Sequence, residues 1–357
     1  MFVNQPKSIS NALLFLLLFL LSACAEVIDL DTETSEEWLV VDGRITNGSF
    51  GNQVRLSFTS PINSNQRVYS GATITLFKDG AEFGQYVETE DGLYELNRAD
   101  HSATAGNSYE LLIELVDGTQ YRSEPAIMPA NAAVDVPKFE VGIIKEPIGD
   151  AGFTRDVRVV KMFTDTEILD PNDDFYLRWE VYETYIYEER QRMVGPFTPI
   201  PQPCYITNDI TGRQPILFNG AELKVQTIPD VLLSTIEVDS RYIFSYLYNV
   251  VQFTTDADTY RYRSQVDGIS NLEGNLFDTP PGAVLGNISN VNNPNERVLG
   301  YFEVVRSDTT WLKVVRDDIP FNVELPCPRA NAFSEPESCT NCLLLENSTI
   351  VQPYYWY

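Results

Sequence analysis

Over much of the chain, apolar and polar residues alternate with a period of two, and Asp-Gly pairs cut the alternation into short lengths. Val54, Leu56 and Phe58 alternate with Gln53, Arg55 and Ser57. Ile74 and Leu76 alternate with Thr73 and Thr75, in a run that stops at Asp79-Gly80. Tyr109, Leu111, Ile113 and Leu115 share one face opposite Glu110 and Glu114, ahead of Asp117-Gly118. A period of two places one side of a strand in a core and the other in water. An Asp-Gly pair accepts the positive φ angles of a tight hairpin, so each pair reverses the chain. Residues 38–130 therefore read as an immunoglobulin- or transthyretin-like β-sandwich. Pro129 and the alanine-rich residues 130–133 mark its end.

Residues 131–357 read as a second β-rich domain with one short helix and long loops. Phe175, Leu177, Trp179 and Val181 alternate with Tyr176, Arg178, Glu180 and Tyr182, a strand with two chemically different faces. Pro, Gly and polar residues over 188–236 predict loops there. Tyr242, Phe244, Tyr246, Tyr248 and Val250 form a further alternating run, whose aromatic face reads as core. Thr255-Asp256-Ala257-Asp258 predicts a helix start, and Gly268 predicts a stop near Val266. The closing Tyr354-Tyr355-Trp356-Tyr357 is too apolar to be left in water and is expected to pack on the body.

The amino terminus has a different logic. Lys7 precedes an unbroken apolar run over residues 12–21, which is about half of what a bilayer-spanning helix needs. A charged start, a short apolar run and small residues at a cut site describe a signal peptide over residues 1–23. Leu21-Ser22-Ala23-Cys24 resembles a bacterial lipobox, which implies that Cys24 receives a diacylglyceryl thioether, that the chain is cut on its amino side and that the new amino group is acylated. Glu26, Asp29, Asp31, Glu33, Glu36 and Glu37 then make residues 24–37 an acidic tether.

Composition narrows the partners. With 25 Lys and Arg against 51 Asp and Glu, the net charge of −26 repels nucleic acid. Four cysteines remain once Cys24 carries lipid: Cys204, Cys327, Cys339 and Cys342. In an exported chain they read as two disulfides of open connectivity, ahead of a zinc site or a redox Cys339-Thr-Asn-Cys342 pair. His101 is the single histidine, so multi-histidine metal sites are excluded. Asp170-Pro171-Asn172-Asp173-Asp174 lacks the ligand spacing of a calcium loop and reads as a solvated turn. No cofactor or metal is expected, and no nucleophile or phosphate-loop motif is present.

Three blocks carry a family resemblance. They are Val27-Ile28-Asp29-Leu30 with Leu39-Val40-Val41-Asp42-Gly43; Ser70-Gly71-Ala72-Thr73-Ile74-Thr75-Leu76 with Gly92-Leu93-Tyr94; and Leu276-Phe277-Asp278, Pro280-Pro281, Gly286-Asn287-Ile288, Asn293-Pro294 and Val298-Leu299-Gly300-Tyr301-Phe302. In these the chain resembles Bacteroidota surface lipoproteins catalogued as domain of unknown function 4249. Arg44 departs from the pattern, standing where an aromatic is common, and the terminal cysteine cluster is sparser than usual. The resemblance implies an outer-membrane lipoprotein, facing the cell surface, that serves as accessory or lid to a TonB-dependent transporter. A stand-alone glycan- or protein-binding adhesin is the alternative, and an anchored glycoside hydrolase a third. Tyr176 and Tyr182, opposite Trp179, are the candidate binding residues.

Overall fold

The computed structural model describes residues 37–48, 51–60, 67–96, 103–131, 133–149, 152–189, 202–211, 216–270, 284–327 and 336–356. The lipobox with Cys24, the acidic stretch up to Glu36, His101 and the motif at 276–281 lie outside them. The chain is mainly β. Strands β1 (Leu39–Thr46), β2 (Gln53–Phe58), β3 (Arg67–Val68), β4 (Thr73–Lys78), β5 (Ala81–Glu90), β6 (Leu93–Leu96), β7 (Ser108–Glu114), β8 (Gln120–Ser123) and β9 (Ala126–Ile127) come first. They are followed by β10 (Ala133–Ile148), β11 (Phe153–Ile168), β12 (Tyr176–Glu188), β13 (Pro203–Asp209), β14 (Ile216–Asn219), β15 (Thr227–Glu237) and β16 (Ser245–Thr255). Helix α1 (Ala257–Ser270) precedes β17 (Ile288–Asn290), β18 (Leu299–Val315) and β19 (Ser348–Thr349).

The predicted turn holds. Asp79 and Gly80 join β4 to β5 with φ of 50° and 80°, the left-handed backbone that an Asp-Gly hairpin demands. The predicted inward residues Val54, Leu56, Ile74, Leu76, Tyr109, Leu111 and Ile113 are buried together, with Leu39 and Val41 of β1 beside them. Fully burying a side chain of this size contributes about 1.5–3 kcal/mol. Residues far along the chain complete this core: Ile288, Val298, Phe302 and Val304.

That completion depends on β18. Its first half runs parallel to β1, with Val40 opposite Leu299 and Thr46 opposite Val305. Its second half runs antiparallel to β16, with Arg306 opposite Thr254 and Val315 opposite Ser245. One 17-residue strand thus belongs to both halves of the molecule and links them through backbone hydrogen bonds. The family motif explains its entry. Gly300 has φ of 93°, and a Cβ there would sit 1.9 Å from the Val41 carbonyl oxygen, so only glycine fits. Asn287 donates from Nδ2 to the Phe302 oxygen at 2.9 Å and accepts from the Phe302 nitrogen at 2.8 Å, standing in for a strand neighbour.

The second core lies between β10-β11-β15, a separate three-stranded sheet, and the large sheet. Phe175, Leu177, Trp179 and Val181 fill it from one side. Tyr242, Tyr246 and Tyr248 are also buried there, so this aromatic face is core, as its pattern implies. Asp135 of β10 ties the layers, accepting from Trp179 Nε1 at 2.8 Å, Gln252 Nε2 at 2.9 Å and Thr166 Oγ1 at 2.6 Å. Burial pushes the Asp135 carboxyl pKa up despite these donors.

Several expectations are corrected. The region 188–236 carries β13, β14 and β15 rather than only loops, because β12 and β11 supply hydrogen-bonding edges that local sequence does not reveal. Tyr242 sits in a 3-10 turn, Ser240–Tyr242, and the strand begins only at Ser245. Helix α1 opens where predicted, with Asp256 Oδ1 accepting from the Thr259 nitrogen at 2.7 Å, but it runs through Gly268 to Ser270. A mid-helix glycine costs only about 1 kcal/mol, too little to force a stop. The disulfides are Cys204–Cys342 and Cys327–Cys339. Cys339 and Cys342 are therefore each bonded elsewhere, which removes the redox-pair reading. Of the aromatic tail, Trp356 is buried against Tyr205 at a ring distance of 5.4 Å, whereas Tyr354 is exposed. Among the described residues no helix is long and apolar enough to cross a membrane, and no group of three or more His, Cys, Asp or Glu could hold a metal ion.

Candidate binding site

The second face of β12, opposite Trp179, carries Tyr176, Arg178, Glu180 and Tyr182 in register. Arg178 and Glu180 meet Arg44 of β1, Glu303 of β18 and Arg263 of α1 in one buried network. Glu303 is fully buried and faces three guanidinium groups: Arg178 Nη2 at 3.0 Å, Arg44 Nε at 3.4 Å, and Arg263 Nε in a short contact. Glu180 Oε1 lies 2.5 Å from Arg178 Nη1 and 3.1 Å from Arg44 Nη2. The Phe253 ring receives Arg44 and Arg178, their guanidinium carbons 4.6 and 4.5 Å from its centre. Three cations stand against two buried carboxylates, and Asp42 at the rim, 3.5 Å from Arg263 Nη2, balances the charge.

Burial alone would raise the pKa of Glu303, but attraction to Arg178, Arg263 and Arg44 outweighs it and brings the group down to about 2. The same contest lowers Glu180, through Arg44 and Arg178. This network joins β1, β12, β18 and α1 by ion pairs between its members, although Arg44 Nε and Arg178 Nε lack a hydrogen-bond partner. Its role is to weld the junction. Arg44 is thereby accounted for: its partner Glu180 is 136 residues away.

Tyr182 belongs to this weld. Its hydroxyl donates to Glu180 Oε2 at 3.0 Å, and burial followed by the Glu180 charge pushes its pKa up. Tyr176 lies elsewhere, in a cleft of about 580 Å³ between β12, the start of α1 and the end of the first half. Pro129, Asn131, Asn172, Asp173, Asp174 and Asp256 share its lining with Tyr176; among the described residues no Lys or Arg does, although Lys224 Nζ donates to the Asn172 oxygen at 2.6 Å. The Tyr176 ring packs on Tyr260 of α1 with centres 5.2 Å apart, which fixes its orientation. Asp256 is held as the helix cap, and Asp170 Oδ1 accepts from the Asn172 nitrogen at 3.1 Å to shape the facing turn. The structure thus separates the two tyrosines that the sequence placed on one face. Asn131, Asp173 and Asp256 are cleft residues that periodicity could not single out, because they lie in turns and at a cap.

Such a cleft offers hydrogen-bond acceptors and an aromatic ring and, among the described residues, no cationic side chain in its lining. Fold and cleft together define a β-rich protein with an open, acidic groove beside Tyr176. A family model described as a domain of unknown function, DUF4249, matches residues 25–310, and the chain belongs to that family. No curated protein and no solved structure matches it.

Proposed function

We propose that this protein is a non-enzymatic, lipid-anchored lipoprotein of the outer membrane, displayed at the cell surface, that helps a TonB-dependent transporter capture its ligand. The observation that carries the reading is the cleft at Tyr176. Its carboxylates and amides accept hydrogen bonds, its ring offers an apolar face, and its negative potential disfavours anions. The ligand it suits is neutral or cationic and rich in O–H or N–H groups. The lipobox ending at Cys24 supports the anchor, and the acidic residues behind it support an extended tether.

Interface energy concentrates in a few aromatic and Arg anchors, each costing about 2 kcal/mol or more when truncated, a factor of about thirty in affinity. Tyr176→Ala, displayed at the normal level in cells lacking the native chain, is expected to lower uptake of the transporter's nutrient about tenfold or more. Its melting temperature should fall only by the few degrees that loss of the Tyr260 contact brings. Full uptake by a folded Tyr176→Ala protein would remove the cleft from the capture step.

A further inference from the structure

A second cavity lies away from the Tyr176 cleft, at the far end of β12. It encloses about 320 Å³ between Tyr185 and Tyr187 of β12, Ile243 and Phe244 after the Ser240–Tyr242 turn, and Leu325 and Pro326 of the carboxyl-terminal segment. We propose that this cavity binds a small aromatic or apolar cation, an amine-bearing ligand whose ring enters the cavity while its ammonium stays at the mouth.

Four observations carry this. The first is the lining: three aromatic side chains and four aliphatic ones, Ile186 among them, at a volume within the range of small-molecule sites. The second is charge. Glu188 and Glu189 stand at the same site, and among the described residues no Lys or Arg lines it. Arg241, in the turn just before Ile243, is spent elsewhere, with Nη1 2.8 Å from Glu183 Oε2 and Nη2 2.9 Å from Asp239 Oδ2. Glu189 is itself committed, accepting from the Cys342 nitrogen at 3.0 Å. Glu188 is exposed and makes no ion pair among the described residues.

The third observation is that the walls are already fixed. The Cys327–Cys339 disulfide holds the segment carrying Leu325 and Pro326, and Cys204–Cys342 pins the neighbouring turn to β13. The Tyr187 hydroxyl lies 3.0 Å from Cys327 Sγ, which joins the β12 wall to that segment. A preformed cavity binds without an ordering cost. The fourth is ring chemistry: aromatic faces attract an ammonium or guanidinium through their quadrupoles, and they do so best when water is excluded. An anionic ligand of the same shape meets the same rings and is repelled by both carboxylates.

The test uses the lipidated full-length protein in detergent, titrated calorimetrically with tryptamine and with indole-3-propionate, each corrected by titration into detergent alone. Tryptamine is expected to bind one to one, and indole-3-propionate about tenfold more weakly or not at all. Glu188→Gln should weaken tryptamine about fivefold or more, and Phe244→Ala should do the same. Leu325→Arg, at a position 63% exposed and so free to vary, should abolish binding by placing a cation at the mouth. Tyr176→Ala, in the other cleft, should leave it unchanged. If Phe244→Ala fails to fold, Glu188→Gln and Leu325→Arg carry the test, since both change exposed side chains. No saturable tryptamine binding, equal affinity for the two indoles, or indifference to Glu188→Gln and Leu325→Arg would each overturn the proposal. The capture role proposed for the Tyr176 cleft stands or falls separately.

Discussion

Replacing Glu303 by alanine is expected to destabilise the protein by about 3–5 kcal/mol, the cost of leaving buried charges uncompensated. The substitution strands Arg178, Arg263 and Arg44, which face Glu303 at the junction of β1, β12, β18 and α1. Glu180 satisfies only Arg178 and Arg44, and Asp42 reaches only Arg263 from the rim. Urea titration with a fixed m-value measures the loss directly. The same residue sets an acid limb. Its pKa falls from an ordinary 4.5 to about 2, so its contribution is complete above pH 4.5 and is lost as pH falls through 2. A shift of that size corresponds to about 3 kcal/mol, in agreement with the mutational range. Asp135 has the opposite sign, because its pKa is raised, and its contribution declines as pH rises past its ordinary 3.8. Glu303→Gln should therefore flatten the loss of stability between pH 4.5 and 2 while leaving the Asp135 slope in place. A Glu303→Ala protein as stable as the native one would show that the network is ornamental.

Cys24→Ser is expected to release the protein from the membrane altogether. Each acyl CH₂ buried in lipid contributes about 0.8 kcal/mol, so two or three chains hold a protein firmly and none hold it once the thiol is gone. Among the described residues no helix could replace the anchor. Cell fractionation after high-salt and carbonate washing decides the matter. Cys24→Ser protein that stays with washed outer membranes would contradict the anchor.

The parts of the fold that were legible are those decided by local chemistry. Period-two alternation marked β2, β4, β7 and β12 because burial of one strand face is written in neighbouring residues. Asp79-Gly80 marked its turn because few residues accept that backbone. Asp256 marked the start of α1 because its carboxylate caps the first turn. What stayed hidden depends on distant partners. Strand β18 continues to Val315, through the polar Ser307, Asp308, Thr309 and Thr310, because β16 receives its hydrogen bonds. The pairing of Cys339 with Cys327 and of Cys342 with Cys204 follows from how the tail packs beside β13, not from cysteine spacing. The site divides in the same way. Tyr176 lines the cleft, while Tyr182 shares its face of β12 and serves the charged weld instead, since only the arrival of Arg44 and Glu303 from other strands distinguishes the two positions.

The central claim, a capture role beside a transporter, is tested most directly by isolating the native complex. Outer membranes are solubilised in mild detergent, the chain is drawn out by a carboxyl-terminal tag, and its companions are identified by mass spectrometry. The account predicts a TonB-dependent β-barrel in near-stoichiometric amount with the lipoprotein. Recovery of the lipoprotein alone, with every such transporter left in the unbound fraction, would contradict it and leave a self-sufficient surface adhesin.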